Sequence, residues 1–197
     1  MVEDGFIKDV SFPRRLKEKK QKVHYLTQDM ERELLSWLNC MQRNREAKDI
    51  IECLIDLGCR VNELLNLEKR FVDFDNNQIN FNDRKNDNAV AVPMTNRVKS
   101  ILRRYYREVK DFDKVFSLNY SELNAIWQKA RKDLGYADKK FYTLHLCRHT
   151  CASRLVQRGC QLLLVKDWLG HEDIKTTMIY AHLAPKALHS IVGVLND

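Results

Sequence analysis

The sequence predicts a mostly helical α+β fold with one small three-stranded antiparallel sheet. Apolar residues recur at helical spacing along most of the chain. The period drops to two in a single stretch, residues 71–94, and the turn-forming segments "NN" and "DRKNDN" punctuate that stretch. At 197 residues, 44% hydrophobic and 31% charged, the chain can bury a proper core and reads as folded rather than disordered.

Residues 13–24, "PRRLKEKKQKVH", carry six Lys/Arg against one Glu and no apolar period. The division expected is a basic arm or linker over 1–22 and a folded domain over 23–197. Thr27 suits an N-cap, with Met30, Leu34, Trp37, Leu38 and Met41 on one helical stripe. A second helix over 47–57 is apolar nearly all round (Ile50, Ile51, Leu54, Ile55, Leu57), which places it centrally; Gly58 ends it, and "CRVNELLNL" opens a short third helix. "FVDFD", "QINFN" and "AVAVPM" are the strands, closed by Pro93. After Thr95, Val98, Ile101, Leu102, Tyr105 and Val109 form the inner stripe of a helix. Its other face carries Lys99, Arg103, Arg107 and Lys110, which reads first as a solvated face. Ser121 is the expected cap of the next helix, with Leu123, Ile126, Trp127, Ala130 and Leu134 inward and Gly135 at its end. From residue 145 the pattern is helical throughout, broken by Gly159 and Gly170.

The formal charge of +7 favours a polyanionic partner such as nucleic acid. No apolar run approaches the ~20 residues of a membrane span, and the start "MVEDGFIKDV" lacks a secretory pattern. The six cysteines form no C-x-x-C pair, so free thiols in a reducing cytoplasm are expected.

The segment "LHLCRHT", residues 144–150, sets two imidazoles and a guanidinium among apolar neighbours, an arrangement that is costly unless something binds it. His145 and Arg148, three apart, share a helix face. Arg60 follows Gly58 at a helix start, with Glu63 one turn on to hold its guanidinium. Lys85 sits in the turn between two strands, beside Arg84. Further on, "WLGHEDIKTTMIY" sets His171 after a glycine and Tyr180 nine residues later. Arginines can fork onto phosphate oxygens, histidine and lysine can move protons, and a phenol can be a nucleophile.

These residues and spacings resemble the catalytic domain of the tyrosine recombinases, the phage-integrase family. "LGCRVNEL" is similar to the family's "TGLRxxEL", Lys85 stands seven residues ahead of Val92-Pro93, "HLCRHT" is similar to "HxLRHT", and "LGHEDIKTTMIYAH" to "LGHxxIxTTxxYxH". The likeness covers about residues 23–190, and the tail "HLAPKALHSIV" looks most like integrases of temperate phages and genomic islands. Leu146 stands where the family often has Asp, and Cys147 where it has Leu. The family's N-terminal clamp domain has only the basic arm in its place, so a catalytic fragment and a minimal recombinase are both open.

The resemblance implies a helical catalytic domain that cuts and rejoins duplex DNA at attachment or recombination sites, with no metal or other cofactor. Tyr180 would be the nucleophile, forming a 3′-phosphotyrosyl link. Arg60 and Arg148 would stabilise the phosphorane, His145 would help deprotonate the phenol, Lys85 would protonate the leaving 5′-oxygen, and His171 would bind a phosphate oxygen. Arg14, Arg15, Lys17, Lys19, Lys20 and Lys22 are candidate DNA contacts. A homo-oligomer, a tetramer on DNA, would act with DNA-bending accessory proteins and without a membrane, in the cytoplasm on a bacterial or phage-infected nucleoid. Three other readings stand beside this one. His145 and His149 at i, i+4 could ligate zinc, but lack the intervening Glu and have Arg148 at their centre. His149 is otherwise expected to make helix-packing hydrogen bonds. "LLLVKDWLGHEDIKTTMIY" could be a helix-turn-helix of a DNA-binding regulator without chemistry, with 174–180 as recognition helix. The same cleavage resealed on one strand would be a topoisomerase IB-like relaxation.

Overall fold

The computed structural model describes residues 23–40, 44–81 and 90–185. Eight α-helices and three strands lie among them: α1 (Gln28–Asn39), α2 (Arg45–Leu57), α3 (Val61–Leu65), β1 (Val72–Asp73), β2 (Gln78–Phe81), β3 (Val90–Pro93), α4 (Asn96–Tyr106), α5 (Tyr120–Asp133), α6 (Leu146–Gln157), α7 (Leu162–Leu169) and α8 (Ile174–Met178). This is the mostly helical α+β class expected. None of the described helices is long and apolar enough to cross a membrane.

Helix α2 is the axis of the molecule, as its all-round apolar pattern requires. Ile50, Ile51, Cys53, Leu54, Ile55 and Leu57 are all buried, and α1, α3, α4 and α6 pack around it. Its few polar residues act as ties. Buried Asp49 accepts from Arg104 Nη2 (2.7 Å) and Tyr105 Oη (2.8 Å) of α4. Asp56 accepts from Thr95 Oγ1 (2.7 Å) and from Arg97, which also faces Glu31 and Glu52. A charge network therefore clamps α4 and α1 onto the central helix, and Arg154 of α6 joins it through Glu31.

The strands form an antiparallel sheet in the order β1-β2-β3, with Val72 opposite Ile79 and Ile79 opposite Val92. All three side chains are buried, so this face closes the core. The turn expected to carry Lys85 and Arg84 lies outside the described residues, as does the arm with Arg14, Arg15, Lys17, Lys19, Lys20 and Lys22. Thr27 and Thr95 cap α1 and α4 as read from the sequence, accepting from the amides of Met30 and Val98 (both 3.2 Å).

Two boundaries differ. Helix α5 is capped by Asn119 rather than Ser121: Asn119 Oδ1 accepts from the Glu122 amide and Glu122 Oε2 from the Asn119 amide (3.0 and 2.9 Å). That reciprocal pair satisfies two orphan donors, where a serine cap satisfies one. Helix α4 ends at Tyr106, leaving Val109 in the following turn. All six cysteines are free thiols, with Cys53, Cys59, Cys147 and Cys151 buried and Cys40 and Cys160 exposed.

Helix α6 packs along α2, α7 reaches the end of α2 at Gly58 and through Trp168, and α8 packs on α7. Ala152 and Val156 of α6, Val165 and Leu169 of α7, and Tyr180 form a second, smaller buried cluster. Gly58 makes the approach possible. It caps α2 at φ 64°, and a Cβ there would stand 2.7 Å from Leu169 Cδ2 and 2.9 Å from Cys151 Sγ. Gly58→Ala therefore combines a left-handed backbone with an overpacked junction, a loss of about 2–5 kcal/mol. Gly135 has a similar φ of 78° and nothing within 4 Å of a Cβ, so Gly135→Ala should lose only about 1–2 kcal/mol. Urea unfolding of the two variants measures the difference. Equal losses would contradict the tight contact of α6 and α7 on Gly58.

Candidate active site

Two helices end in the same way, and the ends meet at Arg148. Helix α2 stops at Gly58 and helix α7 at Gly170 (φ 65°), both left-handed. A helix C-terminus leaves carbonyls without intrahelical partners and carries partial negative charge. The Arg148 guanidinium supplies what both ends lack: Nη1 donates to the Gly58 carbonyl and Nη2 to the Leu169 carbonyl, each at 2.8 Å. Trp168 Nε1 donates to the Leu57 carbonyl beside them (2.9 Å).

Each glycine cap then releases the chain towards one of the candidate site residues. After Gly58, Arg60 becomes the N-cap of α3; Glu63 accepts from its backbone amide (2.7 Å) and from its Nη1 (2.6 Å). The sequence expectation that Glu63 holds this guanidinium is met. After Gly170, His171 turns its Nδ1 to the buried Thr177 hydroxyl (2.8 Å). Asp173 caps α8 by accepting from the Lys175 amide (2.8 Å), and the chain leaves that helix at Tyr180, whose amide donates to the Thr177 carbonyl (3.0 Å).

Arg60 and His145 lie exposed at the rim, His149 and His171 are half-buried, and Arg148 (4% exposed) and Tyr180 (2%) form the floor. His171 lies within electrostatic reach of Arg148, Arg60, His145 and His149, and Tyr180 within reach of Arg148. Five of the six catalytic candidates thus share one site, and Lys85 lies outside the described residues. No carboxylate comes within ion-pair distance of Arg148 among the described residues. A guanidinium keeps its charge in proteins and has five donors; the carbonyls of Gly58 and Leu169 engage two of them. The buried cation is left with unmatched charge.

That charge shapes its neighbours. Burial and the like charge of Arg60 push Arg148 below the ordinary arginine pKa, against the opposing field of Glu63. Partial desolvation, then Arg148 and Arg60, hold His145 below the usual histidine value. Burial, then His145, Arg148 and His24, push His149 down to about 4. Burial, then Arg148 and Arg60, push His171 also to about 4. Burial raises Tyr180 to about 12, with Arg148 opposing. At neutral pH the site holds neutral imidazoles and a neutral phenol beside permanent cations.

One contact was not anticipated. The ring nitrogen against the Tyr180 phenol is Nδ1 of His149, at 2.7 Å, whereas the family resemblance points to His145 for the proton. His145 instead stands edge-on to the His149 ring, centroids 4.8 Å apart. The i, i+4 spacing of the two histidines carried the signal, since it sets both on the helix face that Tyr180 meets. The helix-turn-helix alternative fares poorly: α8 has five residues, and Thr177 within it is buried.

Comparison with known proteins gives the family and the fold. Residues 22–187 match the model of the phage integrase family. The tyrosine recombinase XerA of Saccharolobus solfataricus is 37% identical over 146 residues, 74% of this chain and 48% of XerA. The chain spans about half the length of the curated relatives it matches. The catalytic domain of bacteriophage HP1 integrase superposes with a TM-score of 0.68 at 26% identity, covering 87% of this chain and 95% of that domain. XerH site-specific recombinase bound to its difH substrate shares the fold (TM-score 0.66, 22% identity, 87% of this chain and 53% of XerH). Fold and site define a tyrosine recombinase catalytic domain. The chain belongs to the phage integrase family.

The depressed histidines make acid stability a test of this environment. Between the ordinary value of 6.5 and about 4, the unfolded chain binds protons at His149 and His171 that the folded chain refuses. Stability is therefore full above pH 6.5 and falls as the pH drops towards 4. In urea midpoints measured from pH 7.5 to 4, the double variant His149→Gln/His171→Gln should fall less steeply than the parent. Parallel curves would show that the two rings are solvated.

Proposed function

We propose that this domain is the catalytic part of a site-specific DNA recombinase that cuts and rejoins duplex DNA through a 3′-phosphotyrosyl intermediate. The observation that carries the reading is Arg148: a buried guanidinium fixed by two backbone carbonyls, with no carboxylate of the described residues paired to it and a tyrosine within its field. Such a group suits an anion with several oxygens, and a phosphodiester supplies one. The XerH site-specific recombinase, which shares this fold, is solved bound to its difH substrate.

In the proposed reaction a scissile phosphate enters between Arg60 and Arg148, which neutralise charge as phosphorus becomes pentacoordinate. His145 at the rim and His171 beside the floor add hydrogen bonds to its oxygens. Thr177 fixes the His171 ring for that role. Tyr180 attacks, and the 5′-oxygen leaves with a proton from Lys85. The phosphotyrosine preserves the ester, so a 5′-hydroxyl from a second duplex can reseal the strand. Exchange between duplexes calls for several copies on DNA, hence the tetramer, and the net charge of +7 favours its assembly on a polyanion. DNA-bending accessory proteins and a nucleoid location belong to the same reading.

Tyr180→Phe tests it. The substitution deletes only the phenolic oxygen and leaves the guanidinium cradle. On nicked suicide substrates the parent should form a denaturant-resistant DNA adduct and Tyr180→Phe none, with DNA affinity within about fivefold of the parent, since one neutral hydrogen bond is worth ~1 kcal/mol or less here. An adduct from the Phe variant would remove Tyr180 as nucleophile.

A further inference from the structure

We propose that His149 is a catalytic residue of the reaction, the group that takes the phenolic proton of Tyr180 as the tyrosine attacks phosphorus. The inference rests on the recombinase reading and assigns a role to a residue outside the six positions that the family resemblance marks.

The geometry is direct. His149 Nδ1 is 2.7 Å from Tyr180 Oη, within the range for a proton acceptor in place before the reaction. A phenol is a better donor than a neutral imidazole N–H, and an imidazole nitrogen a better acceptor than a phenol oxygen, so the bond runs O–H to Nδ1 and leaves the ring proton on Nε2. The ring is held by its place on α6, one residue after the anchored Arg148 and one turn after His145. The groups facing it are Arg148 and His145 from its own helix, His24 from the segment before α1, His171 from the turn after α7, and Tyr180.

These surroundings explain how the base can be idle without DNA. Burial, with the neighbouring imidazoles and the Arg148 cation, weakens His149 as a base, while burial keeps the phenol protonated. A phosphodiester in the Arg60–Arg148 cradle brings a negative charge that offsets those cations. Proton affinity at His149 then rises when a substrate is present to use it. In the step itself the Tyr180 Oη–P bond forms and the phenolic O–H bond breaks, its proton passing to His149 Nδ1. The P–O5′ bond breaks, and the 5′-oxygen departs with the proton that Lys85 supplies. In rejoining, the imidazolium returns its proton to the departing phenol.

His149→Asn separates chemistry from packing, because the amide oxygen can accept the phenol's hydrogen bond near the Nδ1 position and cannot take its proton. Single-turnover adduct formation on suicide DNA should fall by ~10²-fold or more in this variant, with DNA binding unchanged. A trifluorotyrosine at position 180, a more acidic phenol, should restore most of the rate in His149→Asn and little in Arg148→Ala. On a 5′-bridging phosphorothiolate, whose sulfur leaves without a proton, the unsubstituted chain should show a normal solvent deuterium isotope effect that shrinks with the fluorinated tyrosine. That arm holds even where His149→Asn folds poorly. Parent-like cleavage by His149→Asn, faster cleavage by it, or absence of the isotope effect on the phosphorothiolate would overturn the assignment. Failure of the unsubstituted chain to form any adduct would overturn the recombinase reading beneath it.

Discussion

Everything at the site depends on one guanidinium lodged between two helix ends. Arg148 satisfies the last carbonyls of α2 and α7, which would otherwise be buried acceptors without donors, and in doing so fixes the angle between the two helices. A glycine follows or forms each helix end because only a left-handed residue can release the chain there without blocking the other. The chain then runs on to Arg60 and His171, which flank the cation that holds the ends together. Stability and chemistry share these atoms: the bonds that close the fold also aim a positive charge at the surface.

The same charge sets the protonation of its surroundings. Partly buried imidazoles beside two arginines stay neutral, and a buried phenol stays protonated. Such a site is chemically quiet until an anion enters it. In the proposed reaction a phosphodiester is both the reactant and the counter-charge, so its arrival would change the proton affinities on which that reaction depends. On that proposal reactivity is tied to occupancy.

Much of this was legible in the sequence. Helical periodicity, the lone stretch of period two, and the threonines at 27 and 95 located nearly every described element, because amphipathic burial and side-chain caps are local effects written in residue type. The candidate site residues were legible as a set, since Arg60, His145, Arg148, His171 and Tyr180 each stand in a distinctive local context. Backbone chemistry was not. That the carbonyls of Gly58 and Leu169 hold Arg148 is a contact between distant segments, hinted at only by the repeated "LG" ahead of a cationic residue. His149 was read as a packing residue because nothing local shows that α6 meets the chain leaving α8. The cap at Asn119 was missed for a smaller reason: Ser121 nearby is also a good cap, and the reciprocal Glu122 decides between them.

The account stands or falls on which atom becomes bonded to DNA. Tryptic digestion of the adduct trapped on a suicide substrate should yield one nucleotide-bearing peptide, residues 176–186, with the modification on Tyr180 as a 3′-phosphodiester. The chain has seven tyrosines, and this peptide contains only Tyr180. Mass spectrometry that finds the nucleotide there confirms a phosphate cradle built around Arg148 and read by Tyr180. Finding it on any other peptide, or finding a 5′-phosphate linkage, would contradict the account.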